Sequence, residues 1–359
     1  MQIVILAGGG GTRLRPLSTA ARPKPFLPLL PGGETLLGRT VARLRGPELP
    51  GQPDIAVVVS PAWAAMAAAQ APGARLIIEP EGRNTAPAIA LAALEPGGDP
   101  DEVMVVLPAD HRIDPAREGA FRAVLAAAAT GLATGAFGVA SPLVTLGVAV
   151  TRPATEYGYL RPDLGRGERV AGLDAFPLAA FEEKPGAERA RELGAMPGVA
   201  WNAGMFLWRR RAIVGALERH APEVADGVRR GLAGDLATAY AALPSRSIDY
   251  AVMEPAAAAG TVVMAAMDVG WTDVGTWPAL LEVLGAPGIG GGVAEVGVEV
   301  ILAPGDLVVE RSGDRPLVRA ADSGPFCPAA PVAVLRRAAG ARSVVEALLD
   351  RCAAAEAGR

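Results

Sequence analysis

Short runs of consecutive apolar residues mark the first third of the chain, at 3–7, 55–60, 75–79 and 103–107, separated by stretches of helical character at 36–44, 63–69 and 85–94. Continuous apolar strands alternating with helices predict a mostly parallel sheet covered on both faces. Such sheets bind ligands where strands end and loops begin. From 138 to 208 the pattern shortens to strands at 158–161, 179–183 and 205–208 with Pro and Gly between them, which predicts an inserted mixed-sheet region forming the far wall of a site. Helical periodicity returns over 211–243, a strand is expected at 261–267, and a helix begins near Trp277. Beyond residue 284 the stretch GAPGIGGG reads as a linker, followed by two weak strands and a helical tail at 343–355. The expected organisation is a large α/β domain over 1–284 and a small C-terminal region, β-rich and then helical, over 285–359.

Composition narrows the chemistry. Half of the 359 residues are hydrophobic but only 4% are aromatic, which suits closely packed helices on a buried sheet. A net charge of −4 offers no broad basic field for nucleic acid or an anionic membrane, so neither is an expected partner and any phosphate site must be local. No basic segment precedes the first apolar run, and no stretch reaches the roughly 18 uninterrupted apolar residues of a membrane helix. A cytoplasmic location is expected. Cys327 and Cys352 are the only cysteines and lack metal-type spacing, and His111 and His220 are the only histidines, so zinc sites and Ser-His-Asp triads have no supply of residues. Carboxylates, Lys, Arg and backbone amides must carry the chemistry.

The first strand runs directly into Gly8-Gly9-Gly10-Gly11-Thr12-Arg13. Glycines let a backbone turn with positive φ and bring its amides against an anion, although glycines alone would equally serve a tight strand-to-helix turn. Neither GxxxxGK[ST] nor the acidic residue of a dinucleotide site is present. Two cations, Arg13 and Lys24, flank the glycines instead and could neutralise a polyphosphate.

LAGGGGTRLRPLS followed by RPKPFLPL resembles the N-terminal signature of the sugar-phosphate nucleotidyltransferases, and the blocks EPEGRNTAPAIALAAL, VLPADH, FEEKP, WNAGMFLW, SIDYAVME and VGWTDVGTW are most similar to the mannose-1-phosphate guanylyltransferases among them. The resemblance covers residues 1–280 and implies a Rossmann-like nucleotide-diphospho-sugar transferase domain with a mixed central sheet. It implies GTP and mannose 1-phosphate as substrates and Mg²⁺ held by Asp110 and Asp273. It implies a nucleotide site of Leu6, Ala7, Gly8, Gly9, Gly10, Gly11, Thr12, Arg13, Lys24, Arg83, Asn84, Thr85 and Asp110. Gly158, Glu183, Lys184, Asn202 and Gly204 would hold the sugar phosphate, with Arg13, Lys24, Asp110, Lys184 and Asp273 as the catalytic set. Ordinary readings stand beside these: a lone Asp at a strand end serves as a cap or Asx-turn, Thr85 serves as a helix N-cap with Pro87 in the first turn, and the 182–185 charges suit a solvated turn. Asp249 is read as structural and His111 is given no role. The resemblance weakens after residue 285, leaving a homodimer open. A nucleotidyltransferase for another sugar phosphate or base, or a non-catalytic regulator that binds nucleotide sugars, are the alternatives.

Overall fold

A computed structural model describes residues 1–313 and 315–357. Besides short helical turns, the chain runs through β1 (Gln2–Leu6), α1 (Leu36–Arg43), β2 (Asp54–Val59), α2 (Ala64–Gln70), β3 (Arg75–Ile78), α3 (Thr85–Ala93), β4 (Val103–Pro108) and α4 (Glu118–Ala127). It continues through β5 (Leu143–Ala149), β6 (Tyr159–Pro162), β7 (Glu168–Val170), β8 (Leu173–Glu182), α5 (Ala187–Ala195) and β9 (Ala200–Arg209). Then follow α6 (Arg210–His220), α7 (Pro222–Ala233), α8 (Leu236–Ala241), α9 (Glu254–Ala258), β10 (Val262–Ala266) and α10 (Trp277–Val283).

These strands form one ten-stranded mixed sheet in the order β3-β2-β1-β4-β9-β5-β10-β8-β6, with β7 alongside β8. Ile3, Val4 and Ile5 are fully buried at its centre, because β1 is covered on both faces and each side chain finds a packed layer. Strands β1, β2, β3 and β4 are mutually parallel, as are β5 and β10. Strand β9 is antiparallel to both β4 and β5 and joins the two halves. The region expected as an insert is therefore a continuation of the same sheet. Strand β6 pairs with β8 and also with β9, closing β9, β5, β10, β8 and β6 into a ring of pairings. This closure gathers the loops before β6, after β8 and at the start of β9.

Beyond α10 the two weak strands expected from the sequence are six: β11 (Gly290–Ala294), β12 (Val300–Leu302), β13 (Leu307–Ser312), β14 (Arg315–Ala320), β15 (Gly324–Phe326) and β16 (Val332–Arg336), followed by α11 (Arg342–Ala357). They make an antiparallel sheet ordered β11-β16-β13-β14 and a β12-β15 pair. The expected linker contributes β11 itself: at Gly291 (φ +128°) a Cβ would stand 2.0 Å from the Val334 carbonyl oxygen, so glycine is what lets the strands pair. One hydrophobic cluster joins Leu307, Val309, Leu335 and Leu348 of this unit to Trp277 of α10 and to Leu14, Leu17, Leu27 and Leu29, the segment after the glycine loop. Polar contacts reinforce the join: Trp277 Nε1 donates to the Arg15 carbonyl at 2.9 Å, Arg22 Nη2 to the Ala355 carbonyl at 2.7 Å, and Arg351 Nη2 to the Leu29 carbonyl at 3.2 Å.

Candidate active site

The loops after β1, β3 and β4 border a cavity of about 310 Å³ together with the middle of β9. Leu6, Gly8, Gly9, Asn84, Thr85, Asp110 and Gly204 line it, so seven residues expected at the site from the sequence share one space. Gly204 lies on a strand but at φ +65°, a conformation that favours glycine. Ala7, just past the end of β1, is turned away instead, fully buried with its N–H bonded to Val58 O at 2.9 Å. Arg83 turns its guanidinium toward Glu81 at 2.9 Å and the Leu243 carbonyl at 3.4 Å.

The glycine loop is shaped by close approach. Gly11 has φ +63°, and a Cβ there would lie 2.4 Å from the Lys24 Cβ, so glycine lets the loop rest on the lysine. Around Gly9 and Gly10 an added Cβ meets nothing within 4 Å, leaving this backbone open to an approaching anion. Below it Lys24, 4% exposed, bonds Asp110 Oδ2 at 2.8 Å and donates to the main-chain oxygen of Asp273. Burial by itself would raise the Asp110 carboxyl; the Lys24 ammonium overcomes that and holds it below the usual range. Asp273 Oδ1 accepts from the Tyr157 hydroxyl at 2.8 Å and the Gly275 N–H at 2.9 Å, while Arg13 stands 3.9 Å from Oδ2 with its side chain largely exposed.

Lys24 thus draws two distant loops together, through the carboxylate of Asp110 and the main-chain oxygen of Asp273, and both residues bring carboxylate oxygens to this region. Mg²⁺ prefers oxygen, and binds through one or two carboxylates while substrate phosphates and water complete its shell. The donor chemistry of this pair fits that ion.

The ring closure builds a second cluster. A Cβ on Gly158 would lie 2.4 Å from Glu183 Oε2, the Asn202 N–H donates to the Gly158 carbonyl at 2.8 Å, and the Lys184 N–H donates to Tyr157 O at 3.2 Å. Lys184, at φ +48°, pairs with Glu183; partial burial opposes the charged amine, but the glutamate outweighs it and raises Lys184 above its ordinary value. Asn202, expected to offer both donor and acceptor to a ligand, uses them within the protein. Its Oδ1 accepts from Thr145 Oγ1 at 2.8 Å and Gly204 N at 3.1 Å, and its Nδ2 donates to Asp249 Oδ1 at 2.9 Å.

Three titratable residues without an assigned role line the cavity. Asp249 sits in a wide helical turn at 249–253, and burial together with nearby Glu183 pushes its carboxyl up to about 7. Glu79, 3% exposed at the end of β3, accepts at Oε1 from the Tyr240 hydroxyl at 2.8 Å and the Arg83 N–H at 3.3 Å. Its only sequence signal is its place as the first letter of EPEGRN. His111 also faces the cavity; burial depresses its imidazole, and Trp271 Nε1 donates to its Nδ1 at 3.1 Å.

The start of α3 differs from expectation. Asn84 rather than Thr85 is the cap, its Oδ1 accepting from the Thr85 N–H at 2.9 Å. Thr85 Oγ1 instead accepts from Ile248 N at 2.8 Å, and the Ala86 N–H donates to the Arg246 carbonyl at 3.1 Å. The first amides of this helix are engaged by protein.

A glycine-rich loop with open backbone, a buried lysine and two carboxylates in the loops of a mixed α/β sheet fit a nucleotide-handling protein of the phosphate-transfer type. The family model described as Nucleotidyl transferase matches residues 2–286, and the chain belongs to that family. A mannose-1-phosphate guanylyltransferase of Escherichia coli K12 is 40% identical over 302 residues, covering 78% of this chain and 59% of the relative. The alginate biosynthesis protein AlgA of Pseudomonas aeruginosa is 38% identical over 298 residues, covering 78% of this chain and 58% of its own length. The chain thus spans under three fifths of the length of these two curated relatives. A solved structure from Thermus thermophilus, described as a mannose-1-phosphate geranyltransferase, matches with a TM-score of 0.67 at 34% identity, covering 89% of this chain and 94% of that one. The fold is the Rossmann-like one of the nucleotide-diphospho-sugar transferases.

Proposed function

We propose that this protein joins mannose 1-phosphate to GTP, forming GDP-mannose and releasing pyrophosphate. The observation that carries the reading is the meeting of Asp110 and Asp273 at Lys24 beneath an open glycine loop. The names of the relatives support the choice of sugar and base. A phosphate oxygen of mannose 1-phosphate attacks the α-phosphorus of GTP; the new P–O bond forms as the bond to the bridging oxygen breaks, and pyrophosphate leaves with that electron pair. The nucleophile is already an anion, so alignment and charge neutralisation take the place of a strong general base.

The backbone of Gly8–Gly11 and the exposed guanidinium of Arg13 hold the triphosphate, and buried Lys24 fixes the Asp110 carboxylate and the Asp273 main chain beneath it. Lys184 holds the attacking phosphate against the repulsion of the triphosphate, while Glu183 and Gly158 shape the sugar end. Asp110 and Asp273 would hold Mg²⁺, which when bound supplies charge neutralisation at the α-phosphate and the leaving pyrophosphate.

The test is pyrophosphate release by purified protein across GTP, ATP, UTP and dTTP against mannose and glucose 1-phosphates, with Mg²⁺ or EDTA. Mg²⁺-dependent release confined to GTP with mannose 1-phosphate is expected. Release with another pair would overturn the substrates, and silence with every pair would overturn the activity.

A further inference from the structure

The loops that carry Asp110 and Asp273 are zipped together by main chain. The Arg112 N–H donates to the Thr272 carbonyl at 2.9 Å, the Thr272 N–H returns a bond to the Arg112 carbonyl at 3.1 Å, and the Asp114 N–H donates to the Val269 carbonyl at 3.0 Å. Lys184 comes from a third loop, after β8, which this bridge does not reach. Its backbone stands at φ +48°, a conformation that a residue with a side chain keeps only where its surroundings impose it. The contact that holds it there is its N–H on the Tyr157 carbonyl at 3.2 Å. The hydroxyl of the same Tyr157 donates to Asp273 Oδ1 at 2.8 Å. One residue thus touches the carboxylate side and the lysine side of the site. Its ring is fixed in turn, edge-on to Trp201 and Trp271 at 5.0 and 5.5 Å between centroids. The Arg152 guanidinium stands 5.7 Å from the ring centroid and is tied to Glu156 at 2.6 Å.

We infer that Tyr157 is a positioning residue for the transfer, setting the separation and direction between the Asp273 carboxylate and the lysine that meets the attacking phosphate. This rests on the roles proposed above for Asp273 and Lys184. Asp273 Oδ1 takes two donors, the Tyr157 hydroxyl and the Gly275 N–H at 2.9 Å. The carboxylate is therefore held against rotation, and Oδ2, on the side of Arg13, is the oxygen turned outward for a cation. Displacement at phosphorus needs its partners in line, and a misplacement of about 1 Å costs on the order of 100-fold in rate. A hydroxyl and a carbonyl on one clamped residue give the two halves of the site a fixed offset. The two ends also separate the role into parts. Deleting the hydroxyl frees the carboxylate alone, whereas deleting the ring releases the backbone that holds Lys184 as well.

The experiment takes the two ends apart. Tyr157→Phe keeps the ring packing and the main chain, and is expected to lower kcat for pyrophosphate release about 10- to 30-fold while KM for GTP and for mannose 1-phosphate stays within about 2-fold. In an Asp273→Ala background the same change is expected to cost less than about 2-fold, because the hydroxyl acts through that carboxylate. Mn²⁺ titrated into substrate-free protein, followed by the electron paramagnetic resonance of the free ion, is expected to bind about 5-fold more weakly to Tyr157→Phe than to wild type. Tyr157→Ala is expected to add a rise of about 10-fold in KM for mannose 1-phosphate. A Phe variant with wild-type kcat and Mn²⁺ affinity, or with the same loss whether or not the Asp273 carboxylate is present, overturns the inference while leaving GDP-mannose synthesis standing. An Ala variant that folds and keeps the KM of the Phe variant overturns the hold on Lys184. Weaker Mn²⁺ binding by the Phe variant, from a wild type that releases no pyrophosphate with any pair of substrates, overturns the proposed reaction and supports the hold of Tyr157 on Asp273.

Discussion

The wall that carries the glycine loop leaves its ligand-facing atoms open, whereas the wall that carries Asn202 has its polar atoms bonded to one another. On the first, Gly9 and Gly10 face free space and Glu79 keeps one oxygen unengaged among the described residues. On the second, Asn202 ties Thr145, Gly204 and Asp249 together, the Glu183 N–H donates to Glu254 Oε1 at 2.8 Å, and the Tyr250 hydroxyl donates to the Glu183 carbonyl at 3.1 Å. The difference teaches where recognition and stability separate. An open wall can lose a side chain and change only what it binds, while a knit wall loses binding and folding together, because each deletion leaves a buried partner unsatisfied.

The sharpest break of that contrast is removal of the C-terminal unit. A chain ending at residue 284 uncovers Leu14, Leu17, Leu27 and Leu29 behind the loop wall. Calorimetry is expected to show no cooperative melt for it, and a wild-type melting curve would refute the shared core. Next come Asp110→Asn and Asp273→Asn, each expected to lower pyrophosphate release about 100- to 1,000-fold with the melting temperature held within a few degrees, since the amide keeps one acceptor oxygen. Unchanged turnover in both would remove the carboxylates from the mechanism.

On the knit wall, Asn202→Ala strands the Gly204 N–H, the Thr145 hydroxyl and the Asp249 carboxyl and should cost about 2–4 kcal/mol in urea denaturation. A loss under 1 kcal/mol, on the order of one exposed hydrogen bond, would show the wall to be looser than its geometry. Asp249 sharpens the same point through pH. Its folded carboxyl, pushed up to about 7, stays protonated where the unfolded one has ionised from its ordinary 3.8. Its contribution to stability is complete below about 4 and is lost as pH rises to about 7. Asp249→Asn should therefore gain melting temperature relative to wild type between pH 4 and 7, and parallel curves would contradict the assignment. The smallest effect belongs to Arg13→Ala: with its side chain 57% exposed and 3.9 Å from Asp273, it should raise KM for GTP about 3- to 10-fold and leave stability unchanged.

Much of this is legible in the sequence because the buried strands are apolar without interruption and their ends carry the chemistry: β1 with its glycines, β4 with Asp110. The Lys24–Asp110–Asp273 meeting follows only from the resemblance, since three separate loops supply it. Glu79 gives little sign of itself because its pairing depends on Tyr240, 161 positions away, which fills one carboxylate oxygen and leaves the other. Asn202 reads as a ligand in the sequence because its register against Gly147 and its bond to Thr145 are set by pairing across β5 and β9. The C-terminal strands are under-counted for another reason: Gly290, Gly291 and Gly292 carry no side chain whose alternation could be read, although their pairing with β16 is regular.

The shared core behind the loop has a consequence for how the molecule is made. Leu14, Leu17, Leu27 and Leu29 leave the ribosome early, but Leu335 and Leu348, which cover them, emerge far later. At about 5–20 residues per second the ribosome needs several seconds to synthesise the stretch from residue 285 onward. Throughout that interval the half-built protein displays an uncovered greasy seam directly behind its glycine loop, exposed to wrong partners until α11 docks.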